Sequence, residues 1–231
     1  MKAFVDTRGL LALTNVLTQI NRKSSPRSAT GPMRDDKDIE NELSIVKCVN
    51  ALMNNRYGAD DALAHPQIVI SLISSLVSLN LITRKTVSDI LTFLSHCGDG
   101  QGYQKVLKAM DIVKDQHQEA GRFDTWISVF EVAIDTHLHM HSSDSKLNHR
   151  RRIGQQNLLF EYCLSTTYLI NMLVGTREGD LTVRCHIRAQ FIACGIKRIL
   201  SKLEGLNYGA INKEIERFRE NEAIDCEALT Q

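Results

Sequence analysis

The feature that most constrains this chain is the period of its apolar residues, which recur every three or four positions over almost its whole length. This spacing gives each segment one apolar helix face, and no run of strict alternation indicates a half-buried strand. Only three prolines and thirteen glycines interrupt the pattern. The sequence therefore predicts an all-α fold.

The predicted helices group into units of about 40 residues, a length typical of armadillo and HEAT repeats. Between 58 and 97 the pattern predicts a short helix that ends at His65-Pro66, a second helix, and a third helix that Thr83 caps and that continues to His96. Each such repeat buries its apolar face only by stacking on the next. We expect an armadillo/HEAT-like right-handed superhelix of four to five irregular repeats.

The repeat region is predicted to cover residues 1–205, with polar loops at about 22–37 and 142–152. Residues 206–231 contain more acidic than basic side chains, and we predict a charged helix or linker outside the repeat core. A basic run in the second loop is interpreted as a solvated charged segment, with binding of an acidic lipid or peptide as the alternative. This run consists of Lys146, Arg150, Arg151 and Arg152.

The composition favours a cytosolic protein that recognises its partners through local surfaces. The formal net charge is only +1, so the chain has no general attraction to nucleic acid or to a membrane. No apolar run approaches the 18 residues that a membrane span requires. The six cysteines lack a C-x-x-C spacing and are predicted to be buried free thiols.

The sequence contains no pattern typical of a catalytic or metal site. No serine has a nucleophile-elbow context, and no pair of carboxylates differs from ordinary solvated charges. In the histidine-rich segment 137–141, helical geometry places the middle histidine off the face of the outer two, so we predict no metal site. We expect a binding protein without a cofactor, and keep a helical enzyme that uses these histidines as a formal alternative.

The helix predicted over 40–55 ends in an unusual polar group. Its apolar stripe is followed by Asn54, Asn55 and Arg56, and Gly58 is predicted to end the helix with a positive φ. The amides can donate and accept hydrogen bonds, and the guanidinium adds a planar charged group. Two interpretations remain open from the residues alone: these groups satisfy the last helix carbonyls, or they contact another protein.

Three segments resemble the regulatory region of fungal-type, diaphanous-related formins. They are Ile45–Gly58 with its asparagine pair, Val183–Phe191 with the order Arg-Cys-His-Ile-Arg, and the charged tail Ile211–Glu220. Together they span most of the chain. The resemblance implies the GTPase-binding/FH3 armadillo-repeat region, which answers to Rho-family GTPases and holds formins inactive.

The resemblance also implies particular contacts. Asn54, Asn55 and Arg56 are expected to face a bound Rho-family GTPase. A concave groove is expected to hold the C-terminal autoregulatory helix of the formin until the GTPase displaces it, which controls actin assembly indirectly. For His186 and Arg188 we keep the default interpretation of helix-start groups that pack between repeats, in preference to direct contact with a ligand. The groove candidates are Lys85, Asp89, Thr92, Thr167, Asn171 and Met172.

The chain departs from the complete formin pattern in several ways. It begins inside what resembles the first repeat, so the segment that supplies much of the GTPase contact is expected to be absent and binding of the GTPase to be weak. Polyproline and actin-assembling regions are also absent, and a homodimer would form through missing downstream segments. The expected location is the cytoplasm, at the actin cytoskeleton or cell cortex. The alternative is an armadillo or HEAT adaptor that binds another peptide and has no formin connection.

Overall fold

The computed structural model describes residues 2–23, 35–142, 149–175 and 181–230. Within these ranges the chain contains helices and no strand, which confirms the predicted all-α class. A short 3-10 turn covers Ser75–Val77. The α-helices are α1 (Lys2–Asp6), α2 (Gly9–Lys23), α3 (Asp36–Met53), α4 (Arg56–Ala64), α5 (Pro66–Ser74), α6 (Leu81–Ser95), α7 (Gln101–His117), α8 (Asp124–Ser142), α9 (His149–Gly175), α10 (Leu181–Ala193), α11 (Ile196–Glu204) and α12 (Gly209–Thr230).

Helices extend into both of the predicted loop ranges. Residues 22, 23, 36 and 37 are helical, and α8 and α9 extend into the second loop. The segments 24–34 and 143–148 lie outside the described residues. The side chains of the basic run 150–152 also lie outside them.

The chain divides into two compact units, of which the first is Met1–Arg122. In this unit α2, α5 and α7 pack in one row, and α3 packs on α6 in a second row. The order of short helix, helix and helix predicted for 58–97 corresponds to α4, α5 and α6. Stacking of equivalent helices is how repeat proteins of this class build a continuous core.

Small polar side chains connect α2 with α5. The Thr18 and Ser71 hydroxyls lie 2.5 Å apart, and the Asn21 amide donates to the Ser71 carbonyl at 3.1 Å and to the Ser75 hydroxyl at 2.9 Å. Ser71 and Ser75 are buried, so these bonds satisfy polar groups that would otherwise lose water without compensation. The contact therefore combines close packing with a defined register.

The start of α6 differs from the prediction. Asn80 is the N-cap, because its side-chain oxygen accepts hydrogen bonds from the backbone N–H groups of Ile82 at 2.9 Å and Thr83 at 3.2 Å. Thr83 lies inside the helix and is fully buried. Both residue types are good caps, but the helix begins three residues earlier than the sequence indicated.

The second unit, Phe123–Gln231, is arranged around α9. This helix packs against α8, α10 and α12, and α12 also packs against α10 and α11. Aromatic side chains connect α10 with α8 and the residue before it: the rings of Phe123 and Phe191 stack with centroids 4.0 Å apart, and Trp126 of α8 meets Phe191 edge-on at 6.0 Å. These contacts position α10 against α8.

An ionic cluster joins α8 to α11 at the surface. Glu131 accepts hydrogen bonds from Arg198 and Lys202 at 2.7 Å, and Lys202 also donates to Asp135. The hydrogen bonds from Arg198 and Lys202 lower the pKa of Glu131 to about 2. Glu131 therefore stays ionised well below neutral pH.

Helix α12 is part of the core, so the prediction of a charged helix outside it is wrong. Ile211, Ile215 and Phe218 are at most 1% exposed. They recur at the helical spacing of a core stripe and face α9, α10 and α11. The acidic excess of the tail concealed this stripe, because most of its charges lie on the opposite, exposed side.

A buried ion pair ties α12 to α10. Arg188 and Asp225 are each 4% exposed, and the Arg188 guanidinium donates to Asp225 at 2.7 Å and to the Phe218 carbonyl at 3.3 Å. Arg184 also donates to Asp225, at 2.9 Å. Burial alone would raise the pKa of Asp225, but the hydrogen bonds from Arg184 and Arg188 outweigh it and hold that pKa below its ordinary value. Arg188 thus packs between helices.

Among the described helices, one segment meets the length and composition of a membrane span, although the sequence showed no uninterrupted apolar run of that length. It is Ile153–Gly175 of α9, and 61% of its apolar window is buried inside the protein. Tyr162, Leu169 and Leu173 are fully buried against the other helices. A central core helix passes the same test, and the packing of α9 agrees with that role.

All six cysteines are free thiols, but the prediction that they are buried holds only for Cys163. Burial raises the pKa of the Cys163 thiol. Cys48 and Cys226 are exposed, and the remaining three are half-buried.

Removal of α12 should destabilise the second unit. Deletion of residues 209–231 removes three fully buried apolar side chains, each worth about 2 kcal/mol, and leaves Arg188 without its carboxylate. We expect a loss of roughly 6 kcal/mol or more in unfolding free energy. Fluorescence of Trp126, the only tryptophan of the chain, follows unfolding of this unit. Deletion of only residues 228–231 is the control, and an unchanged transition in the longer deletion would contradict the packing of α12.

Substitution of Asp225 tests the buried ion pair. Asp225→Asn should lower the free energy of unfolding by about 3 kcal/mol at neutral pH, because a neutral amide leaves Arg188 buried without a countercharge. The carboxylate's contribution is fully present above its unfolded-state pKa, about 3.9, and is lost as pH falls through its lower folded-state pKa.

The stability difference between wild type and variant should therefore shrink below about pH 4. Urea unfolding from pH 7 to pH 3 measures it. Glu227→Gln changes an exposed carboxylate on the same helix and is the matched control. A difference that stays constant with pH would show that the ion pair does not stabilise α12.

Candidate functional site

The predicted polar group lies at the elbow between α3 and α4. Helix α3 ends at Met53, and Asn54 is its C-cap. Asn55 is the N-cap of α4, because its side-chain oxygen accepts a hydrogen bond from the Tyr57 N–H at 3.0 Å. Asn55 is therefore a capping residue, but not in the way that the sequence suggested: its side chain satisfies an N–H group of α4 and not the last carbonyls of α3.

Gly58 sets the angle of the elbow without a positive φ. The prediction that it ends a helix in a left-handed conformation is wrong, since Gly58 lies within α4 and is absent from the positive-φ residues. A Cβ built on Gly58 would lie 2.1 Å from the Leu52 carbonyl oxygen. Glycine is therefore required because the start of α4 approaches the backbone of α3.

Two polar or aromatic side chains are exposed at the elbow. Asn54 is exposed, and its amide makes no hydrogen bond to any described residue. Tyr57 is 50% exposed. The side chain of Arg56 lies outside the described residues. An amide and an aromatic ring beside each other are typical of protein-binding surfaces, where tyrosine contributes large contact area.

Three groove candidates lie on the accessible side of α6. Lys85 and Asp89 form an ion pair at 3.0 Å, and Thr92 donates to the Ser88 carbonyl at 2.8 Å. Phe93, which follows directly, is 45% exposed. This face offers one apolar ring among polar groups that already interact with their own helix.

Two candidates on α9 are buried and do not line an open surface. Thr167 is fully buried and donates to the Cys163 carbonyl. Asn171 is 2% exposed, and its amide donates to the carbonyl and the side chain of Glu214 at 2.9 and 2.7 Å. The assignment of Thr167 and Asn171 to a groove is therefore wrong, because α12 covers this side of α9.

The accessible side of α9 is a different stripe. Its members recur at intervals of three and four residues, so they share one helix face. The apolar ones are Leu164, Tyr168 and Met172; Tyr168 is 42% exposed, and the other two are half-buried. We call this set the α9 stripe. It consists of Asn157, Glu161, Leu164, Tyr168, Met172 and Gly175.

Met172 is thus the one α9 candidate that the structure places on an open surface. Leu164 and Tyr168 escaped the sequence-based prediction. Their spacing from Met172 was a visible signal, but α9 is apolar around most of its circumference. Only the packing of α8, α10 and α12 shows which face remains open.

Helix α12 borders the α9 stripe and carries paired and poorly paired charges. Toward α11, Arg219 donates to Glu204 at 2.5 and 3.1 Å, and this hydrogen bonding lowers the pKa of Glu204. Toward α9, Arg217 is 3.8 Å from Glu214 and its side chain is 61% exposed. The two sides of α12 therefore differ in the charge that they present.

No metal centre is formed in the part of the chain that the structure describes. No group of three or more His, Cys, Asp or Glu side chains there is placed to hold an ion. His137 lies against the ring of Phe160, with centroids 6.2 Å apart. The side chain of His141 is outside the described residues.

Comparison with known proteins matches the chain to two neighbouring family models. Residues 1–96 match the Diaphanous GTPase-binding Domain, and residues 103–231 match the Diaphanous FH3 Domain. The chain is 57% identical over its whole length to the cytokinesis protein sepA of Emericella nidulans. It is 26% identical to Formin-F of Dictyostelium discoideum, again over its whole length. It spans 13% of sepA and 16% of Formin-F.

A solved structure has the same fold. E. histolytica Formin1 bound to EhRho1-GTPgammaS aligns with a TM-score of 0.72 and 15% identity, over 99% of this chain and 68% of that chain. This similarity supports the armadillo-like arrangement of helices. With the two family models and the sepA match, the chain belongs to the diaphanous formin family, in which it corresponds to the GTPase-binding and FH3 regulatory domains.

Proposed function

We propose that this chain is a regulatory module that controls actin filament assembly by binding two proteins and catalyses no reaction. One is an active Rho-type GTPase, and the other is the C-terminal autoregulatory helix of the formin. The observation that carries the proposal is the match of residues 1–96 to the GTPase-binding family model. Membership of this family argues against the alternative function, an armadillo or HEAT adaptor that has no connection with formins.

The elbow between α3 and α4 is the proposed contact for the GTPase. Asn54 presents an unengaged amide, and Tyr57 adds a half-exposed ring. Asn55 supports this surface by capping α4, and Arg56 contributes its charge. The cap of Asn55 and the close approach at Gly58 fix the backbone of the elbow, which lowers the entropic cost of binding a partner there.

The α9 stripe is the proposed floor of the peptide groove. Leu164, Tyr168 and Met172 are spaced four residues apart, so their side chains follow one another at about 6 Å along the helix axis. An amphipathic helix with leucines every three or four residues can place its anchors between them. On α6 we keep Lys85, Asp89 and Thr92 as a polar contact surface, with Phe93 as its apolar element.

Regulation then follows from unfavourable coupling between the two ligands. If the GTPase and the autoregulatory helix each weaken binding of the other, the active GTPase releases the helix without any covalent step. The effect of the chain on actin is indirect and depends on the actin-assembling part of a formin. We place the protein in the cytoplasm at the cell cortex, because the similar sepA is a cytokinesis protein.

The composition and the packing argue against several other classes of partner. A formal net charge of +1 provides no general attraction to nucleic acid. We propose no cofactor and no membrane insertion of α9, whose apolar side chains are occupied by the core. Any homodimer would form through formin segments other than these helices.

Substitutions at the elbow test whether it contacts the GTPase. Asn54→Ala should weaken binding of the GTP-analogue form of a Rho-type GTPase about tenfold, because it removes an exposed contact group. It should leave the melting temperature unchanged. Asn55→Ala should weaken binding and also cost about 1 kcal/mol of stability, because it removes the α4 cap.

Calorimetric titration with the GTP-analogue and GDP forms measures both effects. Asn41→Ala changes an exposed asparagine in the first half of α3 and is the matched control. Equal affinity of the wild type and Asn54→Ala would place the GTPase contact elsewhere. Equal affinity for the two nucleotide forms would contradict recognition of the active GTPase.

A substitution in the α9 stripe tests whether the autoregulatory peptide binds there. The chain should bind a peptide from the C-terminal autoregulatory segment of a diaphanous formin, and Met172→Asp should weaken that binding. A carboxylate among apolar anchors costs on the order of 2 kcal/mol, which is roughly thirtyfold in affinity.

Ile192→Asp is the matched control, since Ile192 is a 38% exposed apolar side chain on α10, away from the stripe. Titration calorimetry gives the affinities, and melting curves verify that both variants are folded. If the wild type does not bind the peptide, the proposed autoinhibitory function is wrong. If a folded Met172→Asp variant binds with wild-type affinity, the peptide does not bind at the α9 stripe.

A further inference from the structure

Two serines in the described part of the chain have the same pattern of charge before them. Ser88 in α6 and Ser201 in α11 each follow a lysine and an arginine, which lie three and four residues earlier. Each serine hydroxyl donates to the carbonyl four residues earlier, at 3.0 Å for Ser88 and 3.2 Å for Ser201. The two serines therefore match in sequence context and in local hydrogen bonding. Protein kinases select their substrates by charge patterns of this kind.

Burial separates the two serines. Ser88 is fully buried, whereas Ser201 is exposed. The side chains of Lys197 and Arg198, which precede Ser201, are 60% and 62% exposed. Residues three and four apart share a helix face, so the two cations and the Ser201 hydroxyl lie together on the accessible side of α11. Of the two serines, only Ser201 combines the charge pattern with access from solvent.

We propose that Ser201 is a phosphorylation site for a serine/threonine kinase that recognises basic residues before its target. The Ser201 hydroxyl oxygen attacks the γ-phosphorus of ATP, so a new oxygen–phosphorus bond forms and the bond from that phosphorus to the ADP oxygen breaks. The hydroxyl proton passes to the catalytic base of the kinase. The site adds covalent control to a chain whose proposed function is binding alone.

The phosphate would enter the ionic cluster that joins α8 to α11. In this cluster Arg198 and Lys202 balance Glu131 and Asp135. A phosphate adds about two negative charges at neutral pH and three strong acceptor oxygens. Ser201 shares a helix face with Arg198, so its phosphate competes with Glu131 for that guanidinium and repels the carboxylates of α8. Phosphorylation should therefore weaken the contact between α11 and α8.

The two helices differ in how much of the core must open to admit a kinase. Helix α11 has nine residues, of which four are buried, and it lies between Gly195 and Gly205. Helix α6 has 15 residues, of which eight are buried. Local opening costs less where fewer buried contacts are lost. We therefore expect the folded chain to react at Ser201 and to protect Ser88.

Phosphorylation of the folded chain tests the site. The kinase is one that prefers basic residues before its target and phosphorylates the free peptides 81–95 and 194–205. With ATP, the whole chain should be modified at Ser201 and not at Ser88, as mapped by mass spectrometry. The reaction should be slower than that of the free peptide, because α11 must open first.

Two variants identify the recognition element. Arg198→Gln should slow the reaction at Ser201 about tenfold, because it removes a cation before the target. Lys202→Gln is the matched control: it breaks ion pairs in the same cluster but lies after the serine, so it should not slow the reaction. Equal slowing by both variants would overturn recognition through the preceding charges.

Three other results would overturn the site itself. One is a peptide 194–205 that no kinase of this class modifies, because the charge pattern is then not recognised. Another is a folded chain that stays unmodified at Ser201 although the peptide reacts. The third is modification of Ser88 in the folded chain as fast as that of Ser201, because burial would then not decide between them.

The effect on the contact between α8 and α11 is measured on the fully phosphorylated chain. Its melting temperature, followed by fluorescence of Trp126 on α8, should be about 3 °C lower than that of the unmodified chain. High salt should reduce this difference, because exposed charges are screened. Unmodified Ser201→Ala is the control and should melt like the wild type, since the hydroxyl bonds only within its own helix. An unchanged melting temperature after phosphorylation would show that the phosphate does not weaken this contact.

Discussion

The second unit depends on the buried pair between Arg188 and Asp225. Removing two charges from water is costly, and part of this cost is offset because Arg184 also donates to Asp225 and the Phe218 carbonyl accepts from Arg188. The pair therefore specifies one register of α12 against α10. A shift by one turn would leave both charges buried without partners, which apolar contacts alone would not prevent. Through α12 the pair also determines which side of α9 is covered and which remains open.

Sequence patterns predicted the helices well, because each helix carries its own apolar period. They failed for α12, although Ile211, Ile215 and Phe218 show that period. The reason is that Glu214 and Asp225 interrupt the stripe, and a carboxylate at a core position normally excludes burial. Their burial depends on Asn171 and Arg188, which lie about 40 residues away in sequence and close to them in the fold. A local pattern contains no information about such distant partners.

The candidate sites show the same limit. At the elbow, Asn54 and Asn55 have identical side-chain chemistry. The Asn55 side chain caps α4 through one hydrogen bond, whereas the Asn54 amide remains available for a protein partner. On α9, Thr167 and Asn171 were the polar positions and hence the natural choice for an accessible face. Three neighbouring helices reverse this expectation: the polar side is covered and hydrogen-bonded, and the side with Leu164 and Tyr168 is open.

These cases suggest how binding residues can be assigned in helical repeat proteins. Residue type identifies groups that are able to bind, and the intramolecular contacts show which of them are already occupied. Arg217 and Arg219 are two residues apart on one helix, yet only Arg219 is committed to a neighbour inside the unit. Family membership supplies the class of partner. The exposed groups that make few contacts within the protein are then the candidates for contacting that partner.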